Sequence, residues 1–328
     1  MTILEKNQHF SFLAELSNMR PAIMGVAILW IMMFHSGIEA PNNNVLRALW
    51  YCFVSFGGGV GVNLFFILSG FGLFYSVDKY SNSRKVDWWM WIKKRLVRLL
   101  PSYLIVSFAY YLMKGDLSLY NILQLNFWID GERDFWFVPA ILVCYLLFPG
   151  IYIASKTWGY GKTTIVLLLI FVFGNIVLQI FSHYYNKIEI FTWRIPCFVL
   201  GVYLGYLLKV QPQYNKLLVD GVLLAALAIC FVLTGMSRVF FLIGTVCLLP
   251  VITFLLDALK KLSPPLHGMI GYIGTRSLQL YLLHVSVVPL VLSMVWRYNL
   301  ILYFIVTFLI SELLYQLTSS KRVKSQNQ

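Results

Sequence analysis

The sequence predicts an all-α protein, a polytopic transmembrane helical bundle of about ten helices with both termini in the cytoplasm. Three observations lead there. Of 328 residues, 59% are hydrophobic and only 12% charged, against about 45–50% and about 25% in soluble domains, so the chain is built for lipid. Apolar runs long enough to cross about 30 Å of hydrocarbon recur from end to end. Basic residues crowd into every second loop, as the positive-inside rule requires of cytoplasmic ones. That rule accounts for the net charge of +13 without nucleic acid as a partner.

The first run spans 21–38, where Pro21 suits an opening helical turn and Asn18 or Ser17 can cap it. Others follow at about 53–76, 99–113, 135–155, 163–181, 193–208, 217–234, 239–256, 272–296 and 300–318. The third is short before Lys114, and the ninth holds Gly271, Gly274 and Arg276 near its start; either can hide a broken helix. With the N-terminus inside, Lys79, Arg84, Lys85, Lys93, Lys94, Arg95 and Arg98 share the first inner loop. Lys156, Lys162, Lys209, Lys216, Lys260 and Lys261 fall in later inner loops, and Arg276 counts with them. Arg47, Lys114 and Arg133 fall outside.

One membrane domain is expected over 1–328, with cytoplasmic ends at 1–19 and 319–328. Residues 1–19 lack the basic start, short apolar core and small-residue cleavage site of a signal peptide. Cys52, Cys144, Cys197, Cys230 and Cys247 lie in or beside apolar runs without CxxC spacing, so neither a metal site nor a disulfide frame is expected. No internal repeat of the kind transporters carry stands out. Nor does a Walker loop, dinucleotide fingerprint, HExxH or nucleophile elbow.

Ionisable groups inside a membrane helix cost about 2.5 kcal/mol or more when charged near its centre, and so point to function by default. His35 stands deep in the first run and Arg20 at its start. On a helix their separation amounts to about 22 Å, most of the hydrocarbon, and about 60° in azimuth, so they share a face. A neutral imidazole can take a proton from a hydroxyl and later return it, the role that acyl transfer to an alcohol requires. A packing histidine bonded to a neighbouring helix is the plainer reading, and the residues alone leave the two level.

In the second run Gly57, Gly58, Gly59, Gly61 and Gly70, with Ser55 and Ser69, let a helix or a ligand approach the backbone; close packing is the simpler account. Asn63 among them needs a polar partner. Trp88, Trp89 and Trp91 suit a membrane interface and lead into Lys94, Arg95 and Arg98. Arg95 and Arg98 share a face and suit bidentate bonds to a phosphate. On composition alone, an anchor to anionic membrane lipids is the stronger reading. The stretch from Asp130 to Asp134, before Trp136, is either a solvated loop or a polar lip at an acceptor site. Ser277, Tyr281 and His284 share one face of a late helix, where a second intramembrane histidine favours a polar cavity. Glu312 lies in the last run with no partner the sequence reveals.

Taken in order, these stretches resemble the acyltransferase 3 family of bacterial integral-membrane acyltransferases, many of which O-acetylate surface polysaccharides. The matching pieces begin with an Arg…His first helix ending in Phe34-His35, then Asn63-Leu-Phe-Phe-Ile-Leu-Ser-Gly-Phe71. Next come Lys94-Arg-Leu-Val-Arg-Leu-Leu-Pro101, Phe135-Trp-Phe-Val-Pro-Ala with Tyr145 to Pro149, and Tyr281-Leu-Leu-His284. The resemblance implies ten membrane helices, an essential histidine at His35, and acyl-CoA, usually acetyl-CoA, entering from the cytoplasm near Arg95 and Arg98. There is one departure. The family commonly has an arginine eleven residues before the histidine, where Met24 stands here. Arg20 lies about one turn earlier at nearly the same azimuth and is assigned that role.

The expected protein is therefore a multi-pass enzyme of the cell membrane. It would transfer an acyl group, most simply acetyl, from cytoplasmic acyl-CoA to a hydroxyl of a glycan or lipid-linked sugar. Arg20 and His35 are its expected catalytic residues, and Lys94, Arg95 and Arg98 its acyl-CoA ligands. Asn63, Ser69, Trp136, Tyr281 and His284 are expected to line the cavity on the acceptor side, with no metal. The chain lacks the hydrolase-like domain some members append, which suits a stand-alone transferase. The rival is a polytopic transporter of such sugars, which has no use for a phosphate clamp near the first-helix histidine.

Overall fold

A backbone in hydrocarbon has no water to bond and must satisfy its own N–H and C=O groups, which leaves helices for a chain patterned like this one. A computed structural model describes residues 12–36, 39–81, 86–210, 226, 229, 238–295 and 300–326, and among the described residues there is no strand. The N-terminal helices are α1 (Phe12–His35), α2 (Asn44–Ser81) and α3 (Trp88–Lys114), followed by short α4 (Leu119–Ile122) and α5 (Leu125–Ile129). Then come α6 (Phe137–Trp158), α7 (Tyr160–Ile180), α8 (Ser182–Thr192) and α9 (Ile195–Val210). The chain continues through α10 (Arg238–Leu262), α11 (Pro264–Thr275), α12 (Ser277–His284), α13 (Val287–Val295) and α14 (Leu300–Gln326).

Among the described residues, eight stretches are long and apolar enough to cross a membrane: α1, α2, α3, α6, α7, α8 with α9, α10 and α14. A ninth is broken, α11 meeting the stretch through α12 into α13 at a bend of 65°. The expected run at 217–234 lies outside the described residues. The all-α polytopic bundle is thus borne out.

Several boundaries move, each for a local reason. α1 opens at Phe12 and carries Pro21 inside it rather than at its first turn. Gly274 of α11 packs so closely that a Cβ there would stand 1.8 Å from the Pro21 oxygen. α2 begins early because the Asn43 side chain accepts from the N–H groups of Val45 at 2.9 Å and Leu46 at 3.1 Å. α3 is unbroken: Asp87 caps its start by accepting from Met90 N at 2.9 Å, and Gly115 ends it with φ 74°. The tryptophan and arginine stretch expected in a loop is therefore the opening of a membrane helix.

The break in the ninth span falls at Arg276. Its guanidinium lies 3.6 Å from the Tyr272 ring and 4.2 Å from that of Tyr315, and its Nε donates to Glu312 at 2.9 Å. Glu312 thereby gains the partner that the sequence left open. Arg276 belongs to this junction rather than to an inner loop.

One end of the bundle is basic. There Asp78 at the foot of α2 is bonded by Lys209 of α9 at 2.7 Å, and Lys156 of α6 lies 4.0 Å away. Close backbone crossings set the helix positions. A Cβ at Gly70 would stand 2.2 Å from the Phe198 oxygen, and one at Gly201 would stand 2.0 Å from the Ile67 oxygen, so α2 and α9 meet through two absent side chains. Gly70→Val and Gly201→Val are each expected to cost about 1–3 kcal/mol or more, read as a lower unfolding midpoint of the purified protein. Gly150→Ala, with nothing within 4 Å of the added carbon, is expected to leave the midpoint in place.

Candidate active site

Arginine side chains from α1 and α3 point into one cavity of about 480 Å³, walled by α1, α2, α3, α6 and α12. Arg20 and Met24 come from α1, Arg95 and Arg98 from α3, Tyr145 from α6, and Ser277 and Tyr281 from α12. The i, i+3 spacing of Arg95 and Arg98 explains why both reach it. Lys94, one position round the helix, is exposed and does not line the cavity. Among the described residues no acidic side chain lines it.

The guanidinium groups are held in place before any ligand arrives. Arg95 donates to the Trp91 oxygen at 2.8 Å and to Ser76 Oγ at 2.6 Å, and lies over the Trp91 ring at 4.0 Å. Ser76 also accepts from Trp91 Nε1 at 3.1 Å and donates to the Leu73 oxygen at 2.7 Å, which fixes its hydroxyl. Arg20 occupies the space left by the missing side chain of Gly72, where a Cβ would stand 2.5 Å from Nη1. Met24 and Arg20 line the same wall, so an arginine one turn early still enters the cavity. Like charges gathered this way repel one another, and a polyanion such as a diphosphate relieves that repulsion.

The opposite wall leads to the histidines. Tyr281 packs on Phe137 with ring centres 5.0 Å apart, and its oxygen accepts from Phe137 N at 3.3 Å. One turn on, the His284 ring centre is 5.6 Å from that of Tyr281 and 5.4 Å from that of His35. His284 Nδ1 lies 2.7 Å from the Tyr281 oxygen and 3.1 Å from the Leu280 oxygen. Carbonyls only accept, so Nδ1 carries the proton and Nε2 presents the lone pair. That Nε2 is buried with no hydrogen-bond partner among the described residues. His35 is the more open of the pair and does not itself line the cavity. Its ring packs on His284, which packs in turn on the cavity-lining Tyr281.

The other expected residues divide. Ser69 lines the cavity beside Tyr281. Asn63 faces the other way: it donates to Thr245 Oγ1 at 2.9 Å and to the Phe241 oxygen at 3.1 Å, and accepts from Arg194 at 2.5 Å. Arg194 is only 5% exposed, and its guanidinium lies 6.0 Å from the Trp136 ring. Arg194 is not among the residues expected from the sequence, although its place between Trp193 and the apolar stretch from Ile195 was an available signal. The Asp130–Asp134 stretch is tied down by side-chain bonds. Asp130 accepts from Tyr120 at 2.6 Å, Asp134 pairs with Lys114 at 3.2 Å, and Arg133 lies 3.7 Å from Glu189.

A multi-helix bundle of apolar helices with an arginine-lined internal cavity defines the class, a polytopic membrane protein. A family model described as an acyltransferase domain matches residues 23–315, and the chain belongs to the acyltransferase 3 family. An acyltransferase-type activity follows from that membership. No curated protein and no solved structure gives a match.

The Asn63–Arg194 bond crosses from α2 to the start of α9 inside the bundle and supports a buried cation. Asn63→Leu is expected to cost about 1.5–3 kcal/mol, measured as a fall in the unfolding midpoint.

Proposed function

We propose that the protein transfers an acetyl group, or a short acyl group like it, from acyl-CoA to a hydroxyl of a cell-surface glycan or lipid-linked sugar. The observation that carries the reading is one cavity lined by three guanidinium groups and Tyr281, whose ring packs 5.6 Å from His284, itself 5.4 Å from His35. In this reading the basic end faces the cytoplasm, as the positive-inside rule expects, and the enzyme works in the cell membrane. Arg95 and Arg98 take the donor's phosphates, with Arg20 deeper in the same cavity.

The thioester then extends toward Tyr281 and the histidines. His35 accepts the proton of the acceptor hydroxyl as its oxygen attacks the thioester carbonyl. The new C–O bond forms, the C–S bond breaks, and the proton passes to the departing CoA thiolate. The products are an ester and free CoA. The Tyr281 oxygen accepts from Phe137 N, which leaves its O–H to donate to the developing oxyanion. His284, with Nδ1 bonded to carbonyls and Nε2 without a partner among the described residues, stands beside Tyr281 and His35 to orient that base or share its proton.

Inverted membrane vesicles given radiolabelled acetyl-CoA test this directly. The wild type is expected to place label in glycan or lipid-linked glycan. Arg95→Ala with Arg98→Ala is expected to raise KM for acetyl-CoA by about tenfold to a hundredfold. His35→Gln is expected to lower kcat by about 10²–10⁴ while KM changes little. Normal acetylation by His35→Gln would sink the base assignment. A folded wild type that neither labels product nor releases CoA in the presence of candidate acceptors would point to a sugar carrier instead.

A further inference from the structure

The two helices that wall the cavity carry a second feature nearer the basic end. Trp88 stands seven residues before Arg95 on α3, and Tyr152 seven residues after Tyr145 on α6. Seven residues is close to two full turns, so each lies on about the same face as its partner and about 10 Å further along. The helices run in opposite directions, and ring contacts confirm the register: Trp88 meets Tyr152 at 6.0 Å and Trp91 stacks on Phe148 at 5.0 Å. Both steps therefore lead the same way, out of the arginine cavity toward the basic end.

There Trp88, Tyr152 and Lys156 line an open groove of about 340 Å³ with Val86, Ile153 and Thr157. Lys156 Nζ lies 5.6 Å from the Tyr152 ring centre, and its side chain is 47% exposed. It lies 4.0 Å from Asp78, whose carboxylate is bonded more closely by Lys209 at 2.7 Å. Tyr152, only 4% exposed, backs the groove, and the half-buried Trp88 ring is its accessible aromatic surface. An aromatic surface beside a cation suits a heteroaromatic base carrying phosphate. Trp91 joins groove to cavity, with Phe148 on one side and the Arg95 guanidinium 4.0 Å from its ring.

We infer that this groove is the nucleotide subsite of the acyl donor, with the purine against Trp88 and a phosphate on Lys156. The inference rests on the acyl-CoA reading above. An acyl-CoA is long enough to need such a subsite. Its diphosphate would sit on Arg95 and Arg98, its thioester would reach inward, and its adenosine phosphate would remain outside the arginine cavity, about two turns away, where the groove lies.

The test compares acetyl-CoA with acetyl-4′-phosphopantetheine, which keeps the thioester and one phosphate but lacks the nucleotide. Purified protein in zwitterionic nanodiscs is expected to show a KM for acetyl-CoA about tenfold or more below that for the truncated donor. Trp88→Ala and Lys156→Gln are each expected to shrink that ratio, and Trp88→Phe to restore most of it. Lys156→Gln changes an exposed side chain and so reports even where loss of Trp88 unfolds the helix end. An unchanged ratio in Lys156→Gln and in folded Trp88→Ala overturns the subsite, as does an equal KM for the two donors in the wild type. An effect of Trp88→Ala that appears only when anionic lipid is added assigns the groove to a lipid headgroup and also overturns it. A wild type that uses neither donor overturns the transferase reading itself, a result distinct from all of these.

Discussion

A guanidinium keeps its proton in any surroundings, so every arginine inside this bundle must be met by something that stands in for water. Much of the interior is arranged around that constraint. Arg95 is met by a carbonyl, a hydroxyl and an indole face. Arg194 is met by Asn63 and by the neighbourhood of Trp136. Arg276 lies by two tyrosine rings and is bonded to Glu312. Arg20 has its room only because Gly72 has no side chain. The partners that hold Arg95 at the cavity, a carbonyl, a hydroxyl and an indole face, are neutral.

That arrangement explains which parts of the site were legible in the sequence. Arg95 and Arg98 announce a common face by their spacing, and the structure brings both to one cavity with Arg20. Periodicity likewise places Ser277, Tyr281 and His284 together, and the last two follow one another toward His35. Lys94 shows the limit of counting charges: one step along a helix is about 100° of rotation, enough to take it off the cavity. Asn63 shows another limit. Its need for a polar partner was plain, but Arg194 and Thr245 are far away in the sequence, and only tertiary packing reveals which way the amide faces.

The fold follows the same division. Hydropathy finds the spans because lipid imposes one solution on the backbone, and the expected spans within the described residues all have helices. It does not find their ends. Those depend on single side chains such as Asn43 and Asp87, which cap helices well outside the apolar windows. Arg276 escaped for a different reason. A cation near the edge of an apolar run reads as a loop residue until its partner is known, and Glu312 lies on another helix.

The break at Arg276 matters for more than helix counting. α11 packs on α1 so closely that Gly274 nearly touches the Pro21 carbonyl, and Ile270 stands against Gly25. The chain then turns by 65°, and α12 begins with a new direction. Because of that turn, Ser277 and Tyr281 become cavity wall and His284 comes to lie beside His35 at the far end of α1. The turn is held from outside by Glu312 of α14, through the arginine at its apex. A span continuing straight past Arg276 would carry Tyr281 and His284 in another direction. An ion pair remote from the reacting groups in the proposed chemistry thus sits at the apex of the turn that brings Tyr281 to the cavity and His284 to His35.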